Sequence, residues 1–192
     1  MRRTLFFCCL AIALLPVPSR SQDHSVYLSP LLSVESFNAL SLGSGLSVGG
    51  SVSFDFTDPL RASCAVLFGT RTAAFDLIGT TGHLDVHTVT YAGSVSYRFL
   101  GTREGGELAA ALGGGAVVSS VDAMTVRAGG LGSITIPARK ESHGVLLAGL
   151  SGAWPLSSRL ALTCEPAVRF VTPFASGQAD YVIAGGLRVA LF

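Results

Sequence analysis

Residues 45–56 alternate between apolar and small polar side chains, and this alternation constrains the fold more than any other feature of the chain. Successive side chains of a β-strand point to opposite faces, so Leu46, Val52 and Phe56 share one face. Ser47 and Ser53 belong to the other face, which carries almost no charge. A water-exposed strand would have Lys and Glu there. The pattern indicates a barrel with lipid outside and a narrow lumen inside.

The composition supports a lipid-facing protein. Charged residues make up 13% of the 192 residues, against roughly 25% in a typical soluble domain. A soluble protein of this size needs a charged surface to stay dispersed. The net charge of +1 leaves no basic surface for nucleic acid. The 23 glycines suit closely packed strands and turns better than helices.

An N-terminal targeting segment precedes the alternating part of the chain. Two arginines follow the first methionine, Leu5 to Leu15 are apolar, and Ser19-Arg20-Ser21 offers small residues to a signal peptidase. A membrane anchor is the alternative, but the apolar run is short and ends at prolines. We predict a cleavable signal peptide at residues 1–21 and one β-barrel domain at residues 22–192. No later apolar run is long enough for a transmembrane helix.

The same alternation recurs along the mature chain. With the segment at 45–56, it predicts eight strands; the other seven lie near 26–37, 60–70, 88–99, 107–118, 143–154, 159–170 and 181–191. The first of these is the weakest prediction, because Pro30 interrupts it. Strands of about ten residues cross a bilayer when tilted. An even number of antiparallel strands closes without an unpaired edge, and side chains largely fill so narrow a lumen.

The connections between the predicted strands alternate in length. Tight turns are predicted at 57–59, 101–106 and 155–158. Longer segments are predicted near 71–86, 119–142 and 171–179, with a shorter one near 38–44. Short turns on one side and long loops on the other are typical of barrels in the bacterial outer membrane. The short turns and both termini would then face the periplasm.

Aromatic residues fall into two groups along the predicted strands. Two bands at the membrane interfaces would produce such a distribution. The group at the short turns comprises Phe54, Phe56, Tyr97, Phe99, Trp154 and Phe192, and the group at the long loops comprises Phe37, Phe68, Phe170, Phe174 and Tyr181.

The signal peptide, the eight strands, the alternating loop lengths and the terminal Phe192 together resemble the small outer-membrane barrels of the OmpA transmembrane domain or OmpX type. The resemblance implies an all-β, eight-stranded antiparallel up-and-down transmembrane β-barrel in the bacterial outer membrane. It also implies outer-membrane lipid and the barrel assembly machinery as partners. Phe192 departs from the family pattern, because it is out of phase with Leu187 and Leu191. Either a bulge near Gly185-Gly186 or an imperfect assembly signal would explain this.

A few charged residues fall on the lumenal faces of the predicted strands. We interpret them as a lumenal charge network in which carboxylates and guanidinium groups satisfy each other; a selectivity or gating element is the alternative. The predicted network comprises Asp55, Arg61, Arg98, Glu107, Glu165 and Arg169. Cys64 and Cys164 fall on outward faces of strands that are not neighbours, so we expect no disulfide between them.

Residues with catalytic chemistry occur near strand ends. His83, His87 and His143, with Asp85 and Ser142, contain a possible base, acid and nucleophile for an enzyme acting on outer-membrane lipid. Nothing in their spacing sets a catalytic arrangement, and no zinc-binding spacing is present. We therefore expect no enzyme, no metal and no cofactor.

The favoured function is structural or interactive: a scaffold in the lipid that displays outside loops. The segment 119–142 contains Ile134-Thr135-Ile136, and two interpretations of it stay open. It extends two strands above the membrane as a hairpin, with an edge for surface partners that the family resemblance allows, or it is a solvated loop with no particular affinity. The alternatives are a narrow pore for small solutes, a lipid-modifying enzyme, and a secreted soluble barrel that holds a ligand inside.

Overall fold

Antiparallel strands make up most of the chain. The computed structural model describes residues 26–40, 42–77, 80–102, 105–127, 133–172 and 179–191. The predicted signal peptide at residues 1–21, Phe174 and Phe192 lie outside these residues. The strands are β1 Val26–Ser36, β2 Ser44–Asp55, β3 Leu60–Leu77, β4 Thr80–Thr102, β5 Gly106–Val121, β6 Met124–Arg127, β7 Ser133–Ile136, β8 Arg139–Pro155, β9 Leu160–Thr172 and β10 Ala179–Ala190. A short 3₁₀ turn, Asn38–Leu40, follows β1.

Eight of these strands close into one barrel in the order β1-β10-β9-β8-β5-β4-β3-β2. Each barrel strand pairs antiparallel with the strands next to it, and β1 pairs with β10 to complete the ring. Within the barrel, closure gives each of the eight strands a hydrogen-bonded neighbour on both sides, which is the condition for placing a sheet in hydrocarbon. The prediction of an eight-stranded antiparallel up-and-down barrel is confirmed.

The apolar faces of the strands point outward. Leu46, Leu112 and Tyr181 are 61%, 70% and 59% exposed. The alternate faces turn inward, where Ser47 and Thr88 are each 2% exposed. A belt of exposed Leu, Val and aromatic side chains around a closed barrel requires a hydrocarbon environment. In the part of the chain that the structure describes, no helix is long and apolar enough to span a membrane.

The belt can be tested at Leu112, in the middle of β5, where it pairs with Val95 of β4 and Ala148 of β8. We expect Leu112→Arg to lower the free energy of unfolding by about 2–4 kcal/mol, because the guanidinium group would enter hydrocarbon near the bilayer midplane. Urea unfolding in lipid vesicles measures this change. The matched control is Thr72→Arg, on an exposed outward position of β3 beyond the belt. The control should cost no more than about 0.5 kcal/mol. Equal costs would contradict the assignment of the belt.

Strands β3 and β4 are longer than predicted. The segment 71–86 was expected to be a loop, but β3 continues to Leu77 and β4 begins at Thr80. The pairing of β3 with β4 runs without a shift from Leu60↔Tyr97 to Leu77↔Thr80. The prediction of a loop was wrong because the pattern of polarity changes there. On β4, His83 is exposed on the outside, whereas Val86 is buried on the inside.

In the segment 119–142, the described residues pair as a hairpin, which was one of the two open interpretations. β5 and β8 remain paired up to Val121↔Arg139. Beyond them β6 and β7 pair as a separate two-stranded sheet. The hydroxyl groups of Thr125 and Thr135 are 3.3 Å apart on this sheet.

The pairing of β10 excludes one of the two explanations for the phase of Phe192, a bulge near Gly185-Gly186. Its register with β9 is continuous from Ala179↔Phe170 to Val189↔Leu160, so there is no bulge at Gly185-Gly186. The register irregularity lies instead in β4, between Arg98 and Leu100.

The two aromatic bands are present, with one exception. Phe56, Tyr97, Phe99 and Trp154 are exposed near the short turns, and Phe68, Phe170 and Tyr181 are exposed toward the other end. Phe37 was assigned to the second band, but it is 0% exposed. It faces the barrel interior because the chain folds back after β1.

The cysteines lie on opposite walls of the barrel. Cys64 is on β3 and Cys164 is on β9, with three strands between them in either direction around the barrel. As expected, no disulfide joins them.

Candidate functional site

The short-turn end of the barrel interior holds Asp55, Arg61, Arg98, Glu107 and Arg188, which we call the lower cluster. Arg61 Nε lies 2.6 Å from Asp55 Oδ1, and Arg61 also pairs with Glu107. Arg188 pairs with the same Glu107 oxygen, and Arg98 Nη1 lies 3.3 Å from the other. Glu107 thus joins three arginines from strands β3, β4 and β10.

Tyr27 of β1 completes the lower cluster. Its hydroxyl group donates to Asp55 Oδ2 over 3.1 Å. The guanidinium carbons of Arg61 and Arg188 lie 4.9 and 5.5 Å from the centre of its ring. A cation over an aromatic face is attracted by the negative charge of that face. The ring therefore holds both arginines against the inner wall.

The other end of the lumen holds Glu35, Arg71, Arg169 and Asp180, which we call the upper cluster. All four are buried to 3% exposure or less. Arg169 Nη1 lies 2.9 Å from Glu35 Oε2, and Arg169 Nη2 lies 3.6 Å from Asp180 Oδ2. Arg71 Nη2 lies 3.8 Å from Glu35 Oε2. Two cations and two anions balance, as burial of charge requires.

Phe37 lies between the two arginines of the upper cluster. The guanidinium carbon of Arg71 is 4.1 Å from the centre of the Phe37 ring, and that of Arg169 is 3.9 Å from it. The turn after β1 places the ring here. The Phe37 N–H donates to the Gly43 carbonyl over 2.8 Å, and Gly43 has a φ of 69°, which glycine adopts without strain.

A group of apolar side chains packs in the lumen beside the upper cluster. Phe37 packs with the buried side chains of Val117, Val145 and Val171, from strands β5, β8 and β9. Leu40 and Leu42, from the connection between β1 and β2, pack against this group. We call these six residues the plug. They come from four different parts of the chain, so only the closed barrel assembles them.

A cavity of about 110 Å³ lies between the two clusters. Small side chains such as Ser63 and Ala65 contribute to its wall, together with Arg169 and Glu165. We call it the chamber. Along the barrel the order is plug, upper cluster, chamber and lower cluster.

The six residues of the predicted charge network lie in three different parts of the lumen. Asp55, Arg61, Arg98 and Glu107 meet in the lower cluster, as described above. Arg169 is in the upper cluster, with partners that had not been predicted, and Glu165 lines the chamber.

Sequence reasoning did not assign any role to Glu35, Arg71, Asp180 and Arg188, and it placed Phe37 at the lipid instead of the lumen. The signal for Arg188 was available, because it alternates with the outward Leu187. Glu35 also follows a regular alternation along β1, which continues through Pro30. Arg71 carried no such signal, since its segment was interpreted as a loop.

The residues considered for catalysis are not brought together. Ser142 is exposed on the outer face of β8, whereas the next residue, His143, is on the inner face. His83, Asp85 and His87 are all exposed on the outer face of β4. Adjacent residues of a strand point to opposite sides, so Ser142 and His143 cannot act as nucleophile and base. Among the described residues, no group of His, Cys, Asp and Glu is arranged to hold a metal ion.

The comparisons with known proteins show the fold. No protein-family model and no curated protein sequence matches the chain. The outer membrane protein OprG from Pseudomonas aeruginosa has a similar structure, with a TM-score of 0.59 and 9% identity over 88% of this chain and 95% of that one. A major outer membrane protein from Thermus thermophilus has a TM-score of 0.57 and 19% identity, over 88% of this chain and 100% of that one.

Neisserial surface protein A is also similar, with a TM-score of 0.53 and 15% identity over 88% of this chain and 97% of that one. Identities this low establish the fold and nothing beyond it. The chain has the fold of the small eight-stranded outer-membrane β-barrels.

Proposed function

We propose that this protein is a closed barrel of the bacterial outer membrane that serves as a scaffold for surface interactions. The single observation that carries the proposal is the plug, because it sits on a salt-bridged cluster and fills the lumen from several strands. A barrel with such an interior is suited to displaying its loops and poorly suited to passing solutes. The exposed belt binds outer-membrane lipid, and the barrel assembly machinery inserts the chain.

The surface offered to partners lies beyond the belt. The parts of β3 and β4 within the segment 71–86 extend beyond the belt and present polar side chains outward. Among them is Thr72, whose hydroxyl group donates to Asp85 over 3.3 Å. The β6–β7 pair forms a two-stranded sheet that is not hydrogen-bonded into the barrel. A two-stranded sheet offers edges to which another extended chain can add by main-chain hydrogen bonds. Protein partners that bind by strand addition fit this surface best; nucleic acid does not fit a chain of net charge +1.

A narrow pore is the second candidate, and one observation favours it. The short-turn end opens into a cavity of about 710 Å³ lined in part by Arg61, Glu107 and Arg188 of the lower cluster. Solute passage would then require the lower cluster to separate and the plug to move. The two functions differ in conductance.

We expect the purified protein to produce no discrete current steps in planar lipid bilayers. Fully buried ion pairs and the plug oppose the entry of water and ions. Heat-modifiable electrophoretic migration confirms that the reconstituted protein is folded. The control is Phe37→Gly, which removes the ring from the plug and should raise the frequency of current steps. Regular steps from the unmodified protein, with a selectivity that changes in Glu107→Gln, would establish the pore instead.

A further inference from the structure

The barrel reverses its polarity beyond the lipid belt. Within the belt, β4 directs Tyr91 and Val95 outward and Thr88 and Thr90 inward. Closer to its beginning, β4 is built the opposite way: His83 is exposed on the outside, and Val86 is 2% exposed on the inside. The pairing of β4 with β3 continues through this point without a shift. The change in polarity is therefore due to the amino-acid sequence, since the backbone keeps the same alternation of inward and outward positions.

The reversed part forms a half-open, largely apolar cavity of about 440 Å³, which we call the calyx. Its apolar lining comes from β4, β5, the connection between β1 and β2, and the end of β7. The residues are Leu40, Leu42, Leu84, Val86, Val121, Ile136 and Pro137. A barrel with a polar outside and an apolar inside is the arrangement that soluble barrels use to hold a small ligand. The plug forms the floor, since Leu40 and Leu42 belong to both.

The polar groups of the calyx lie together on one side. Arg139, Glu141 and His143 alternate along β8, and Ser119 of β5 is beside them. Arg139 Nη2 lies 2.6 Å from Glu141 Oε1, and His143 Nε2 lies 3.5 Å from Glu141 Oε2. The His143 Nε2 atom is buried and has no hydrogen-bond partner among the described residues. Glu141 is thus flanked by two nitrogen groups, and Arg139 has further guanidinium donors to offer a second carboxylate.

We infer that the calyx binds one small amphipathic molecule with a single apolar chain and one carboxylate. The chain would occupy the space between the apolar walls. The carboxylate would accept hydrogen bonds from Arg139 and from a ring N–H of His143. The volume lies near the lower end of the range for small-molecule pockets, which suits one chain better than a two-chain lipid.

Decanoate, labelled with ¹³C at its carboxyl carbon, tests this inference on the protein in lipid nanodiscs. NMR titration should reveal saturable binding beyond the partitioning measured with empty nanodiscs. Leu84→Trp places a large ring in the calyx and should weaken binding at least about tenfold, because it fills the space of the chain. Arg139→Gln should weaken decanoate about tenfold through the lost charge-assisted hydrogen bond, and should affect decanol much less.

The matched control is His83→Trp, which adds the same ring at the neighbouring position on the outer face of β4. This variant should bind decanoate like the unmodified protein. Heat-modifiable migration of each variant shows that the barrel has formed. Uptake that never exceeds that of empty nanodiscs would overturn the inference, as would equal losses in Leu84→Trp and His83→Trp. Decanoate binding does not depend on whether the protein conducts ions in planar bilayers. The inference, which rests on the calyx, and the proposed function therefore fail independently.

Discussion

Replacing Arg169 by alanine is expected to lower the free energy of unfolding by about 3–5 kcal/mol. Arg169 is 0% exposed, and its guanidinium group neutralises Glu35 and Asp180 in the lumen. Its Nη2 also donates to the Ser36 carbonyl over 2.8 Å. Without Arg169, two buried carboxylates would share the single charge of Arg71. Urea unfolding in lipid vesicles, followed by Trp fluorescence, measures the loss.

The chain provides a matched control for this variant. Arg139 also pairs with a glutamate, at 2.6 Å, but its side chain is 78% exposed. Water already solvates that pair, so Arg139→Ala should cost no more than about 1 kcal/mol. Similar costs for the two variants would show that burial does not determine the contribution of Arg169.

A double-mutant cycle isolates the pair. Glu35→Gln removes the charge that Arg169 Nη1 meets at 2.9 Å. In the double variant Glu35→Gln/Arg169→Ala, the loss of unfolding free energy should be smaller than the sum of the two single losses. The reason is that the Glu35 carboxylate, which Arg169→Ala leaves without its partner, is no longer present. Additive losses would refute a direct coupling between these two side chains.

Replacing Phe37 by alanine is expected to cost about 3–5 kcal/mol of unfolding free energy, the range for deleting a buried Phe side chain. The ring is 0% exposed, packs in the plug and lies close to two guanidinium carbons, at 4.1 and 3.9 Å. Removing it would leave a cavity and take the aromatic face away from both cations. The same unfolding experiment measures the effect.

Two further variants separate packing from the cation–π contacts. Phe37→Leu keeps much of the volume but has no aromatic face, so it should recover part of the loss and stay about 2 kcal/mol or more below the unmodified protein. Phe68→Ala removes a ring that is 54% exposed on the lipid side. It should cost less than Phe37→Ala, because lipid chains fill the space. A larger cost at Phe68 would show that the plug adds little stability.

Much of the barrel could be predicted from the sequence, because the lipid environment imposes a simple local rule. Each strand must direct apolar side chains outward and small or polar ones inward, and a residue such as Leu112 reveals its side by its neighbours alone. The number of strands, the closure and most of the lower cluster follow from this rule. The parity of the alternation alone predicts that Arg61 and Glu107 point into the barrel.

Beyond the edge of the belt lipid no longer contacts the strands, so the rule does not apply. The local pattern of residues is then not sufficient to predict the structure. Val86 and His87 alternate as regularly as the residues within the belt but in the opposite phase, so the segment resembled a loop. Phe37 was assigned to the lipid because aromatic residues near strand ends often lie there. Its place between Arg71 and Arg169 depends on a turn closed by Gly43 and on strands far apart in sequence.

The sequence by itself thus determined which side of each membrane strand meets lipid, since hydrocarbon acts on every residue independently of its distant partners. Only the tertiary structure decided which inward charges meet, where the plug lies and that the part of the barrel beyond the belt forms the calyx. These features depend on the stagger between strands and on the path of a turn. Both are set by the closure of the whole sheet, and no single strand encodes them.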